Sequence, residues 1–178
     1  MTAVGDWDSI LRLRLSERMS IASTMAVAVE AMSDEAMLDT LFQLLYYGDD
    51  PLRWRAAWVL EKVSASCPSL VVGERCRLLR LVMRMDLPNR VRRLLLSILY
   101  HLPDDEILDV PLFNFLLDVM CSPQSSSGVQ SLSMKLACRM SRMDPDLHQE
   151  FLCVVRNMEP DYCSAGVRAV IRNCLRLG

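Results

Sequence analysis

Four segments of this chain recur at a nearly constant step, and no other feature limits its fold so strongly. LRWRAAWVLEKV from Leu52, VRRLLLSILYHL from Val91, VQSLSMKLACRM from Val129 and VRAVIRNCLRLG from Val167 begin 39, 38 and 38 residues apart. In every row the first, eighth and ninth positions are apolar (Val59-Leu60, Ile98-Leu99, Leu136-Ala137, Cys174-Leu175), and the second is Arg, Arg, Gln, Arg. A shorter copy, IASTMAVAVEAM, starts at Ile21. A period of this length signals stacked helix pairs. Each pair is too small to bury its own apolar stripe, so neighbouring pairs supply the other wall. Positions 1, 8, 9 and 12 of each row are therefore expected in the core. Positions 2, 3, 7, 10 and 11 are left for solvent or a partner.

The remaining sequence agrees with an all-α chain. No segment sustains a two-residue alternation between hairpin turns, whereas apolar residues recur at three and four. Leu38, Leu41, Phe42 and Leu45 form one such stripe, and Val72, Cys76, Leu79 and Met83 another. Helices are expected over 6–15, 17–32, 34–47, 51–65, 69–86, 88–102, 104–121, 125–143, 145–158 and 160–177. Asp50-Pro51, Asp144-Pro145 and Glu159-Pro160 each place a proline at an expected first helical position, where its missing N–H costs nothing. Ser33 and Asp104 read as N-caps. Asp104-Asp105-Glu106 reads as negative charge favoured by a helix start. The serine-rich CSPQSSSGVQ at 121–130 reads as a mobile connection.

The valine-arginine opening and late aliphatic pair of these rows resemble the second helix of the HEAT repeat, and DPLRWRAAWVLEKV shares its Asp-Pro entry. Pro111, in DEILDVPLFNFLLDVM, is similar to the proline that bends the repeat's first helix. The resemblance covers residues 16–178. It implies a right-handed α-α superhelix, an ARM/HEAT-like solenoid of about four to five helix pairs, forming one domain with repeats near 1–33, 34–66, 67–103, 104–143 and 144–178. It also implies that the second helices line a concave surface, and a non-enzymatic scaffold that binds a protein or peptide there. The tetratricopeptide repeat fits less well, since its period is tighter and its tryptophan, glycine and tyrosine markers are missing.

On that surface the expected partner-binding residues are Arg53, Arg92 and Arg168 at position 2, Trp54 and Arg93 at position 3, Trp58 and Lys135 at position 7, and Tyr100 at position 10. Trp54 and Trp58 are four apart and share a helical face. Trp, Tyr and Arg dominate binding hot spots. Each has a plainer alternative: the tryptophans serve equally as core, and the position-2 arginines as caps on carbonyls. Between residues 53 and 93 ten basic residues face three acidic ones, so an acidic ligand suits the groove. Arg77, Arg80 and Arg84 read as a solvated stripe on a first helix.

Catalysis finds little support. GxGxxG, P-loop, HExxH and nucleophile-elbow motifs are missing. The seven cysteines form no CxxC and read as reduced thiols; the two histidines, His101 and His148, are too few for common zinc sites. No cofactor is implied. The opening MTAVGDWDSI lacks the basic-then-apolar order of an export signal, and no apolar run is long enough to span a bilayer, so a cytoplasmic protein without membrane contact is expected. A nucleic-acid reading remains as the alternative, because RWRAAW is similar to helices of the HEAT-like alkylpurine DNA glycosylases. That resemblance implies Arg53, Arg55, Arg92 and Arg93 on phosphates. Against it stand a sequence pI near 5.7 and Glu61 as the sole acid beside the tryptophans. The terminal AVIRNCLRLG poses a last choice: Val170 and Leu175 pack inward, or the C-terminal helix meets a second copy.

Overall fold

The computed structural model describes residues 6–103, 109–159, 161 and 163–177. Regular structure among them is helical: α1 (Trp7–Ser16), α2 (Ile21–Ala31), α3 (Glu35–Tyr47), α4 (Leu52–Ser66), two 3-10 turns (Pro68–Leu70 and Val72–Glu74), α5 (Arg75–Val82), α6 (Asn89–His101), α7 (Val110–Cys121), α8 (Ser127–Ser141), α9 (Pro145–Asn157) and α10 (Ala165–Leu177). They form two compact units, Met1–Leu81 with Ser97–Leu102, and Val82–Leu96 with Pro103–Gly178.

Side chains close most helix starts, accepting from amides that have no partner inside the helix. Asp34 takes Met37 N at 2.9 Å, Asp109 takes Leu112 N at 2.8 Å, and Asp144 takes Asp146 N and Leu147 N at 2.9 and 3.1 Å. Pro145 follows Asp144 at the first helical position, as expected. Asp34 rather than Ser33 caps α3. Pro51 stands one residue ahead of α4, so Leu52 opens that helix. Pro111 sits in the first turn of α7, where it starts the helix instead of bending it. The expected caps at 104–106 and the proline at 160 lie outside the described residues. α10 begins only at Ala165, with Ser164 Oγ accepting Val167 N at 3.2 Å.

In the first unit α4 is the hub, packed by α1, α2 and α3; in the second α8 is the hub, packed by α7, α9 and α10. The repeat register holds at positions 1 and 8, and at position 12 Val63 and Leu102 are buried while Met140 is half-buried. Leu52, Val91, Val129 and Val167 are buried, as are Val59, Ile98, Leu136 and Cys174. Leu60, Leu99 and Ala137 are also buried, but Leu175 is 39% exposed, while Val170 faces inward. Burial of each such aliphatic contributes about 1.5–3 kcal/mol relative to exposure.

The helix expected over 69–86 is where periodicity misleads. Pro68 and Gly73 divert its first turns into 3-10 geometry, and the α-helix spans only Arg75–Val82. Its buried residues are Leu78, Leu81 and Val82, together with Val71, whereas Val72 and Cys76 of the expected stripe are exposed. Of the serine-rich stretch at 121–130, expected as a mobile connection, residues 127–130 belong to α8 and only 122–126 form a short turn, held by hydrogen bonds. Ser125 N reaches Ser122 O at 3.2 Å, Asn89 Nδ2 reaches Gln124 O at 2.9 Å, and Gln130 Nε2 reaches Ser122 O at 3.0 Å.

Candidate functional site

Position 2 performs one structural task in three of the four rows. Arg53 donates from Nε to Leu45 O at 3.2 Å and from Nη2 to Tyr46 O at 3.5 Å, at the end of α3. Arg92 donates to Val82 O at 3.2 Å, and also to Arg84 O, beyond the end of α5. Gln130 reaches Ser122 O, just past α7, and Arg168 Nη1 reaches Cys163 O at 2.7 Å. The last carbonyls of a helix have no intrahelical donor. The second helices α4, α6 and α8 therefore each send a side chain back to close the first helix before them, while Arg168 ties down the connection just ahead of α10. Burial lowers the pKa of the half-buried Arg92, with Asp86 opposing, and its guanidinium lies 5.7 Å from the Phe115 ring centroid.

Four other cations of the 53–93 block are likewise engaged within their own unit. Arg55 occupies a position that holds Leu94, Leu132 and Val170 in the other rows, and donates to Leu15 O at the end of α1. Lys62 pairs with Glu61 at 2.9 Å. Arg77 stacks 4.2 Å over the Tyr46 ring while approaching Glu74, which accepts from Tyr46 Oη at 2.8 Å. Burial, then that hydrogen bond to Glu74, raises the Tyr46 pKa. Arg84 chelates Asp86 through two bonds of 3.0 and 2.6 Å. Of the arginines expected to form a solvated stripe, Arg80 and Arg84 are exposed and Arg77 is half-buried.

The aromatic residues stand differently. Trp54 and Trp58 stack on α4 with ring centroids 5.8 Å apart and planes inclined by 21°, and both are partly exposed. Tyr100, also in the first unit, is 38% exposed. The second unit holds Arg92, Arg93, Lys135 and Arg168, of which Arg93, Lys135 and Arg168 are exposed. The Arg93 side chain crosses Gly128 near the start of α8: a Cβ there would stand 2.9 Å from Arg93 Cδ. Cys138, expected at an exposed position, is buried instead, hydrogen-bonded to Cys174. That bond, with help from Arg142, whose Nη2 lies 4.0 Å from Cys138 Sγ, lowers the Cys138 thiol pKa against its burial.

Two Ser–His contacts deserve a chemical test. Ser64 Oγ donates to Glu61 O at 2.9 Å and meets His101 Nδ1 at 2.9 Å; Ser141 Oγ donates to Cys138 O at 3.0 Å and meets His148 Nδ1 at 3.0 Å. A hydroxyl has one proton, already given to the helix, so the imidazole N–H must be the donor. Both serines are fully buried. Neither pair is arranged for nucleophilic attack, which needs an exposed oxygen with its proton on the base. Glu61 is held between Lys62 and Ser97 Oγ, the latter at 3.0 Å. A cleft of about 610 Å³ in the second unit is bordered by Cys121, Cys153, Cys163 and Met158. No group of metal-ligating residues is close enough to hold an ion among the described residues, and no helix there is long and apolar enough to cross a membrane.

One feature of the second unit escapes a window count of charge. Its second-helix segments, α6 with Arg90, Arg92 and Arg93, α8 and its cap with Lys135, Arg139 and Arg142, and α10 with Arg168, Arg172 and Arg176, contain no Asp or Glu. The acids of that unit lie on α7, α9 and the connections. Visible in sequence only after helices are sorted into first and second, this segregation adds Arg139, Arg142, Arg172 and Arg176 to the expected site residues.

The comparison with protein families matches residues 11–177 to the HEAT repeat domain. No curated protein and no solved structure matches the chain.

Proposed function

We propose that this chain, which belongs to the HEAT repeat family, acts as a non-catalytic interaction module that binds a protein or peptide segment on the surface of its second helices, the concave side in a HEAT-like stack. The stacked, partly exposed Trp54–Trp58 pair is the observation that carries this reading. Stacked indoles offer a large, rigid, apolar area with few rotamers to lose, and one polar N–H apiece for orientation. The helix beneath them is fixed by its buried face, so the platform is preorganised. The buried, helix-bonded serines beside His101 and His148 accord with a module that holds a partner and transforms nothing. The nucleic-acid reading assigns Arg53 and Arg92 to phosphates, yet both direct their guanidinium groups to carbonyls of this chain.

Selection from a displayed peptide library tests the proposal. Peptides enriched on the full chain should lose at least about tenfold in affinity, about 1.4 kcal/mol, on Trp54→Ala/Trp58→Ala, with circular dichroism confirming an intact fold. Equal binding to both proteins, or no enrichment on either, would discard the reading.

A further inference from the structure

The outward face of α2 is as apolar as its inward one. Thr24, Val27, Ala28 and Ala31 are buried, and α2 packs on α4 and α3. On the opposite side Ile21, Ala22, Ala26 and Val29 are exposed and Met25 is partly exposed. No residue from Met19 to Val29 is charged. A helix that is apolar all round is ordinarily covered on every side. In the short repeat copy Ile21 and Val29 hold positions 1 and 9, where Leu52, Val91 and Val129, and Leu60, Leu99 and Ala137, are buried. Here the same positions are 71% and 56% exposed. Neighbouring pairs cover such positions within a stack, so the matching occupant is another helix with an apolar face.

We infer that this occupant is α2 of a second copy of the chain, packed antiparallel about a two-fold axis through Met25. Ile21 and Val29 stand four residues to either side of Met25. The two-fold therefore sets Ile21 against Val29 of the other copy and Met25 against itself, an isologous contact. Ala22 and Ala26 let the two backbones approach. The ends are complementary as well. Exposed Arg18, ahead of the Ser20 cap, is carried to the C-terminal end of the opposing helix, beside Glu30, which Arg14 holds at 2.6 Å. That end has no basic residue of its own in its last turn, and the negative pole of the helix dipole favours a cation there. On α10, by contrast, Leu175 lies between Arg172 and Arg176, and two copies would bring like charges together. The 11-residue helix gives a seam of about 16 Å, short for an obligate interface, so the pair exchanges with monomer. The inference is independent of peptide binding by Trp54 and Trp58, which lie on α4.

Sedimentation equilibrium of the full chain, from about 1 μM to about 1 mM, tests this. The weight-average mass should climb from 20.3 kDa toward twice that value. Ile21→Glu/Val29→Glu, which sets carboxylates against one another, should weaken association at least about tenfold. Both side chains are exposed in the single chain and Glu suits a helix better than Ile or Val, so an unchanged urea midpoint at low concentration should confirm the fold. Ile21→Glu/Val29→Lys brings opposite charges together only in the antiparallel pair, and should associate more tightly than the Glu/Glu variant. Leu175→Glu should dimerise as the native chain does. The inference is overturned if the native chain keeps its monomer mass throughout, which would leave the stripe to a helix of a different protein. It is equally overturned if the Glu/Glu variant associates like the native chain, if the two charged variants are equally weak, or if Leu175→Glu abolishes the dimer.

Discussion

His101 shows how a single polar residue is made to serve a packed helix pair. Burial lowers its pKa, with Glu61 pulling the other way and Lys62 adding to the depression. The unfolded chain, near the ordinary value of about 6.5, thus takes up the proton before the folded one does. The stability this residue contributes is complete above the unfolded pKa and is lost as pH falls through the lower folded value. Urea midpoints measured at pH 7.5 and pH 5 should fall further for the native chain than for His101→Gln, whose side chain keeps a donor for Ser64 but cannot titrate. Equal falls would mean that the imidazole is charged in the fold. Nothing in the sequence forecast this pairing, since Ser64 and His101 are 37 residues apart and neither belongs to a motif.

At the scale of the element, the side chain at position 2 is the most informative. If Arg53 and Arg92 close the preceding segment, Arg53→Met and Arg92→Met, which keep the apolar stem, should each lower stability by about 1–2 kcal/mol in urea denaturation. Arg172→Met, on the exposed face of α10, should be close to neutral. Similar losses at all three positions would remove the capping account. The sequence made the apolar register legible, because core positions 1 and 8 must be apolar in every pair. Position 9 followed except at Leu175. Where each arginine reaches was not legible, because a long cationic side chain suits both a carbonyl and a partner. α5 was misread for a related reason: Val72, Cys76, Leu79 and Met83 match a helical period, but Pro68 and Gly73 decide the backbone path before that stripe begins.

Over the whole molecule, a formal net charge of -2 conceals the sorting of charge by helix layer. A chain of sequence pI near 5.7 should ignore a sulfonate resin at pH 7, yet the second helices of the second unit should hold this one at low salt. Lys135→Glu/Arg172→Glu should elute earlier in a salt gradient, and failure of the native protein to be retained would show that nearby acids cancel the field. In sequence the 53–93 block reads as suiting an acidic ligand, but ion pairs and carbonyl contacts absorb much of it. The fold class was legible because HEAT-type pairing repeats along the chain, whereas a surface emerges only when helices are assigned to layers. The backward-reaching side chain at position 2 has one more consequence, for the ancestry and engineering of such chains. Recombination that severs a first helix from its second would leave bare carbonyls in one product and a stranded guanidinium in the other, so viable gains and losses should come in intact pairs.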